Sequence, residues 1–277
     1  MVKKRRITWA KVIFFSIGKA IFYPLKALWW LAVKSGQGIA FLLKKGKEKK
    51  EKAIIEAKRP KSGAGYKKFS IEEVVSGDFD SFEKRLISSD STIGIILGAR
   101  GSGKSAFGMR FLENMHSKTG KGCFAMGFNK ESLPRWISVV EKIEDLRNDS
   151  FVLIDEGGIL FSSRESMSDA NKLLSELLLI ARHKNLSVLF ISQNSANLEI
   201  NAIRQADYLV LKPSSLLQKD FERKKIKEIY EGVQERFDKL KDKQGITYIY
   251  STEFRGFITN SLPGFWSENV SKSFRKR

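Results

Sequence analysis

"TIGIILGARGSGKSAFGMRFL", residues 92–112, decides how the rest of the chain is read. Thr92–Leu97 is apolar and β-branched, which predicts a buried strand. Gly98 to Ser105 then spell G-x-x-x-x-G-K-S, and Phe107, Phe111 and Leu112 recur at helical spacing. Glycines let consecutive main-chain N–H groups curl around phosphates, and the following helix adds the positive end of its dipole. The phosphate-cradling residues are therefore Gly98, Ala99, Arg100, Gly101, Ser102, Gly103, Lys104, Ser105 and Ala106. In this pattern Lys104 reaches the β- and γ-phosphates and the Ser105 hydroxyl ligates Mg2+.

A site of this kind needs a second strand that ends in an acid. "SFVLIDEGG", residues 150–158, supplies one. Asp155 is placed to hold Mg2+ through its water shell, and Glu156 to polarise the attacking water as general base. "DEGG" and "FNKES" invite a GTP-binding reading, but their order opposes it. Asn129–Lys130 precedes Asp155, and Ser132 stands where a guanine-reading Asp is needed. ATP is the predicted nucleotide.

A third stretch, "LLLIARHKNLSVLFISQN" at 177–194, predicts a strand at Ser187–Ser192 that stops on the polar pair Gln193–Asn194. Gln193 would then sit beside the γ-phosphate, where an amide can orient the water and report hydrolysis. Before it, Ala170, Leu173, Leu174, Leu177, Leu178 and Ala181 form a core stripe at helical spacing. Arg182 at the helix end reads either as an arginine finger for a neighbouring subunit or as a charge neutralising the helix C-terminus. Arg204 is a second finger candidate.

The chain has 277 residues and a formal charge of +19, and its charge is unevenly spread. Residues 1–62 hold 17 Lys/Arg against 3 Asp/Glu, and the remainder 33 against 28. A basic arm seeking phosphate, in lipid headgroups or nucleic acid, fits this better than a uniformly basic surface. The single Cys123 excludes an internal disulfide and suits a reducing compartment, and two His give no zinc spacing. Along "ITWAKVIFFSIGKAIFYPLKALWWLAVKSG" (7–36) and the residues just before it, the stripe Lys4, Lys11, Lys19, Lys26 and Lys34 covers an arc of roughly 140° on an apolar helix. Spanning a bilayer would cost roughly 2.5–3.5 kcal/mol for each central Lys. Lying in the headgroup plane avoids that cost. Pro24 should kink or split the helix.

These readings divide the chain into four: an apolar, Lys-striped membrane-associated segment at 1–43; a charged flexible linker at 44–68; an ATPase core at 69–213; and residues 214–277 packed on that core. The last part reads as one long helix over 214–243, with Leu217, Phe221, Ile226, Ile229, Tyr230, Val233 and Phe237 on its apolar face. A hairpin around Ser251–Thr252–Glu253 and a basic tail, "SKSFRKR", follow.

The combination "GARGSGKS", "FVLIDE", "LLLIARHKNLSVLFISQN" and "NLEINAIRQADYLVLK" resembles the FtsK/HerA superfamily of additional-strand ATPases, over roughly residues 80–215. Its relatives include viral genome-packaging ATPases and the ATPase domain of zonular occludens toxin-like phage assembly proteins. The resemblance implies an α/β, RecA-like, mostly parallel sheet with strands near 92–97, 122–128, 151–155, 187–192 and 207–211, working as a ring, often a hexamer. It matches Lys104, Ser105, Asp155, Glu156 and Gln193 to the Walker lysine and serine, the Walker B acids and the sensor. It further implies an ATP-driven motor on double-stranded DNA in viral or mobile-element genome packaging or transfer, at the cytoplasmic face of a prokaryotic host membrane or on a virion. Two rival readings remain: a phage-assembly or secretion ATPase moving a virion or protein across a membrane, and a membrane scaffold switched by nucleotide. No DNA-reading domain is visible, and the apolar segment precedes the motor where phage assembly ATPases place it after.

Overall fold

The computed structural model describes Trp30, Lys34, Phe41, residues 43–157, residues 167–267 and Val270. Two compact units are distinguished, Met1–Ala57 and Lys58–Arg277. Most of the Lys-striped segment, including Lys4, Lys11, Lys19, Lys26 and Pro24, lies outside the described residues, as does the tail at 271–277. Among the described residues no helix is long and apolar enough to cross a membrane.

The expected flexible linker at 44–68 is corrected. Residues 43–58 are helical, and most of their side chains are exposed. Its composition of Lys, Glu and Ala favours helix, and Lys47–Glu51 and Glu48–Lys52 stand at the i,i+4 spacing that supports it. The following stretch is tied down as well. Arg59 is buried and donates to the main-chain oxygens of Leu133 at 3.0 Å and of Pro134 and Ile137 at 2.6 Å each. A charged composition signals solvation only where no partner waits, and here three buried carbonyls do.

In the second unit the strands are β1 (Ser70–Gly77), β2 (Ile93–Leu97), β3 (Gly122–Met126), β4 (Ile137–Val139), β5 (Ser150–Asp155), β6 (Leu186–Ile191), β7 (Tyr208–Leu211), β8 (Thr247–Ser251) and β9 (Phe254–Thr259). The helices are α1 (Phe79–Ser88), α2 (Lys104–Thr119), α3 (Met167–Ala181), α4 (Ile200–Gln205), α5 (Leu216–Asp220) and α6 (Lys224–Lys239). All nine strands join one sheet in the order β1-β9-β8-β7-β2-β6-β5-β3-β4. The pairings from β7 through β4 are parallel, and those among β7, β8, β9 and β1 are antiparallel. The five strands expected from sequence are β2, β3, β5, β6 and β7, and their ends agree to within two residues.

β2, β5 and β6 are buried along their whole length, which is why their sequences are unbroken apolar runs rather than alternations. Ile93, Ile95 and Leu97 face one core with Leu174, Leu177 and Leu178 of α3 and Ile226, Tyr230 and Val233 of α6. Ile96 faces the other, with Phe82 of α1 and Phe107, Phe111 and Met115 of α2. α2 lies close on the sheet because Gly108 has no side chain: a Cβ there would fall 2.7 Å from Leu153 Cδ1.

α2 is also clasped from outside. Arg110, Glu113 and Asn114 are buried on it. Asn114 exchanges two hydrogen bonds with the main chain of Lys67, at 3.0 and 2.8 Å. Glu113 pairs with Arg110 at 2.8 Å and accepts from Gly65 N at 3.2 Å and Gly264 N at 3.1 Å. Arg110 donates to the carbonyls of Ser261 and Leu262.

The single long helix expected over 214–243 is corrected to two, α5 and α6, with a break at Phe221–Arg223. Glu222 is buried and accepts from the Ser195 N–H at 2.7 Å, while Arg223 Nε donates to Ser195 O at 3.0 Å. These bonds pull the chain out of helical path. As a result Leu217 and Phe221 are 75% and 70% exposed, whereas Ile226, Tyr230, Val233 and Phe237 are buried as expected. The hairpin around Ser251 is present as β8–β9.

Replacing Arg59 by Ala removes a donor from three buried carbonyls, of which Pro134 O keeps the Ile137 N–H at 3.1 Å, and should lower the unfolding free energy by roughly 2–3 kcal/mol. Chemical denaturation reads this as a lower midpoint at unchanged slope. A loss under about 0.5 kcal/mol would match an ordinary surface residue and contradict the docking of this segment.

Candidate nucleotide site

The loop after β2 takes the form its glycines permit. Gly98, Gly101 and Gly103 have φ of 148°, 80° and 87°, and a Cβ at Gly101 or Gly103 would meet nothing within 4 Å. α2 starts at Lys104 with no side-chain cap on its N-cap residue Gly103, so its first N–H groups face the open side of the loop. Ser102 Oγ is buried without a hydrogen-bond partner among the described residues. An orphaned hydroxyl, open space at two glycines and a free helix N-terminus fit a phosphate chain.

Lys104 is buried, and its ammonium donates to the carbonyls of Gly98 at 2.7 Å and Ala99 at 2.9 Å. Burial lowers its pKa, and the charges of Asp155 and Glu156 oppose that shift. The Ser105 hydroxyl donates to Asp155 Oδ2 at 2.8 Å, so the two predicted Mg2+ ligands are already side by side. A hydroxyl beside a carboxylate is the hard-oxygen pair that Mg2+ takes from a protein in sites of this sort. The residues present therefore fit the ion.

Asp155 closes β5 and Glu156 follows it, both buried. Burial pushes the Glu156 carboxyl above its ordinary range, and the neighbouring Asp155 charge adds to the rise. Hydrogen bonds from Ser192 and the Gln193 N–H, and the charge of Lys104, work against it. β6 lies between β2 and β5, with Ile191 beside both Ile96 and Asp155. Ser192 and Gln193 consequently emerge between the phosphate loop and the acids. Gln193 follows the end of β6; its side chain is exposed and its carbonyl accepts from Gln218 Nε2.

Arg182 and Arg204 are not brought to this cluster. Both are exposed and precede the N-terminal ends of β6 and β7, at Leu186 and Tyr208. Ser150 pairs with Leu186 and Asp155 with Ile191, so about 17 Å of strand separates that edge from the acids. Neither arginine serves the site of its own chain.

Two residues escaped the sequence reading. Ser192, the partner of Glu156, was signalled only by a polar residue ending the run "SVLFIS". Lys212, fully buried just after β7, was signalled by a lone Lys before Pro213 at the end of "YLVL". Its main chain supports the loop: Lys212 N donates to Leu97 O at 2.8 Å, and Pro213 O accepts from Ala99 N at 3.0 Å.

No protein-family profile and no curated protein matches the chain. Among solved structures, the genome-packaging NTPase B204 of Sulfolobus turreted icosahedral virus 2, in complex with ATP-gammaS, matches 62% of this chain and 98% of its own at 17% identity and TM-score 0.40. EssC (ATPases 2 and 3) from Geobacillus thermodenitrificans matches 78% of this chain and 50% of its own at 12% identity and TM-score 0.41. The cytoplasmic domain of the type VII secretion ATPase EccC from Thermomonospora curvata matches 64% and 27% at 16% identity and TM-score 0.40. At such identities and scores the likeness bears on neither substrate nor partner.

Proposed function

We propose that the chain is a RecA-like, additional-strand ATPase that works as a ring-forming motor, most readily on double-stranded DNA during genome packaging or transfer. One observation carries the enzymatic part of this reading. The Ser105–Asp155 pair and Glu156, held by Ser192 and Gln193, meet at the C-terminal ends of three adjacent parallel strands beside the loop of Lys104. In open α/β sheets ligands bind at that end of the strands.

The roles follow from the positions. Lys104 exchanges the carbonyls of Gly98 and Ala99 for oxygens of the β- and γ-phosphates. Ser105 and Asp155 would hold Mg2+, which supplies charge neutralisation on the phosphates. Glu156 accepts the proton of the attacking water, and its raised pKa makes it a stronger base than an exposed carboxylate. Gln193 orients that water, and its carbonyl contact with Gln218 passes a change in position to α5. Arg182 or Arg204 can act only from a neighbouring subunit, since both stand at the far edge of the sheet. DNA as cargo rests on the motif resemblance, and contact with anionic lipid on the lysine stripe of residues 1–43.

Lys104→Ala or Glu156→Gln should abolish ATP hydrolysis while leaving the circular dichroism spectrum unchanged. Turnover surviving in either would end this assignment. Added double-stranded DNA should stimulate the wild-type rate in a salt-dependent manner. Stimulation by anionic liposomes without any response to DNA would instead favour the secretion reading.

Glu156→Gln should also change stability, in the opposite sense to activity. The raised pKa means that the charged form is disfavoured in the fold, a cost present above the folded pKa and gone below the ordinary carboxylate range. The variant should therefore melt higher than wild type at pH about 8, with the gap closing as pH falls toward about 4.5. A gap of constant size would assign the effect to packing.

A further inference from the structure

Lys212 is fully buried, and its ammonium donates to three oxygens: Gly245 O at 2.9 Å, Ile246 O at 3.3 Å and Asn260 Oδ1 at 3.3 Å. It lies 5.4 Å from the centroid of the Phe107 ring, in the first turn of α2. An ammonium has three protons, so the three acceptors match the charged form, although Gly245 O also accepts from the Thr247 hydroxyl at 2.8 Å. Burial works the other way and pulls the pKa down to about 7, with no charged neighbour offsetting it.

The groups around it are few. α2 presents Phe107 and, at its start, Lys104; α6 presents the Tyr230 hydroxyl, which donates to Lys212 O at 3.1 Å and is itself pushed above its ordinary range by burial. The turn before β8 offers main-chain carbonyls, and the residue after β9 offers the Asn260 amide.

The phosphate loop rests on this residue. A Cβ at Gly98 would fall 2.6 Å from Lys212 Cβ and 3.0 Å from Lys212 O. Gly98 and Ala99 are the residues whose carbonyls hold Lys104. We propose that Lys212 is a positioning residue for the phosphate loop, its buried ammonium strapping the end of β7 to Gly245, Ile246 and Asn260 so that Gly98 and Ala99 stand at the height Lys104 needs. The inference rests on the reading of the loop as a triphosphate site. Triphosphate brings negative charge to a loop seated on an uncompensated lysine, favours the ammonium over the amine, and so draws a proton into the protein on binding.

The test uses the full chain and a non-hydrolysable ATP analogue with Mg2+, with affinity, KM and kcat followed from about pH 6 to about pH 9. Wild-type affinity should weaken as pH rises through the Lys212 titration. Lys212→Met should raise KM about tenfold, the equivalent of one pKa unit, with a smaller change in kcat, and should remove that pH dependence. Asn260→Asp sets a carboxylate against the ammonium and should hold affinity at the tight end across the range. Lys212→Met with wild-type KM and pH profile would overturn the proposal. Should that variant fail to fold, Asn260→Asp and the wild type decide: calorimetry in two buffers of different ionisation enthalpy should show proton uptake on binding near neutral pH. Absence of uptake, or an Asn260→Asp profile identical to wild type, overturns it equally. A wild type that neither binds nor hydrolyses ATP instead sinks the reading of the site itself.

Discussion

The hydrogen bond between the Ser105 hydroxyl and Asp155 sets the scale of the whole site. Asp155 ends β5, whereas Ser105 lies in the first turn of the helix that follows β2, and those two strands are not neighbours because β6 is inserted between them. At the usual strand spacing, β2 and β5 run about 10 Å apart. The phosphate loop must therefore lean across the end of β6 before the hydroxyl can meet the carboxylate. That lean leaves Ser192 and Gln193, just past the end of β6, between the loop and the acids. A chain without the inserted strand would bring the same acids against the loop with no residue between them.

Three buried charged groups gather around this bond, in an interior that also buries Arg59, Arg110, Glu113, Lys212 and Glu222. Lys104, Asp155 and Glu156 are all buried, with two carboxylates adjacent in sequence and one lysine turned onto its own loop. Like charges side by side and away from water raise the Glu156 pKa, and only a hydroxyl, a main-chain N–H and one lysine temper the effect. In such a cluster burial disfavours the charged form of Glu156 despite its hydrogen bonds. The cluster gains from a ligand that carries both negative oxygens for the lysine and a cation for the acids, as Mg2+-nucleotide does. Strain of this kind marks functional centres more often than structural ones.

Much of this was legible in the sequence, and the reason is locality. The loop, the acids and Gln193 each close a strand buried on both faces, and such strands announce themselves as unbroken apolar runs. The elements misread were those fixed by distant polar partners. Residues 44–68 looked like a solvated linker because nothing near Arg59 in sequence reveals the carbonyls of Leu133, Pro134 and Ile137. The helix expected to run unbroken through Phe221 breaks because Glu222 is bonded to Ser195, on the far side of β7 in sequence. β1 escaped notice since its exposed edge position imposes no alternation on "SIEEVVSG". Lys212 escaped because a lysine in a buried place contradicts the pattern by which cores are recognised.

The clasp on α2 changes what counts as the smallest working piece of this protein. The motifs occupy about half of the chain, and a trimmed version spanning roughly residues 80–215 would retain every one of them. It would lose Gly65 and Lys67 on one side and Ser261, Leu262 and Gly264 on the other, leaving Asn114 without its main-chain partners and the Arg110–Glu113 pair without its main-chain contacts. Losing these contacts on the helix that carries Lys104 and Ser105 weakens its hold on the sheet. Both flanks of the catalytic core are thus part of its foundation, and recombination or truncation inside either one dismantles the nucleotide grip without touching a motif.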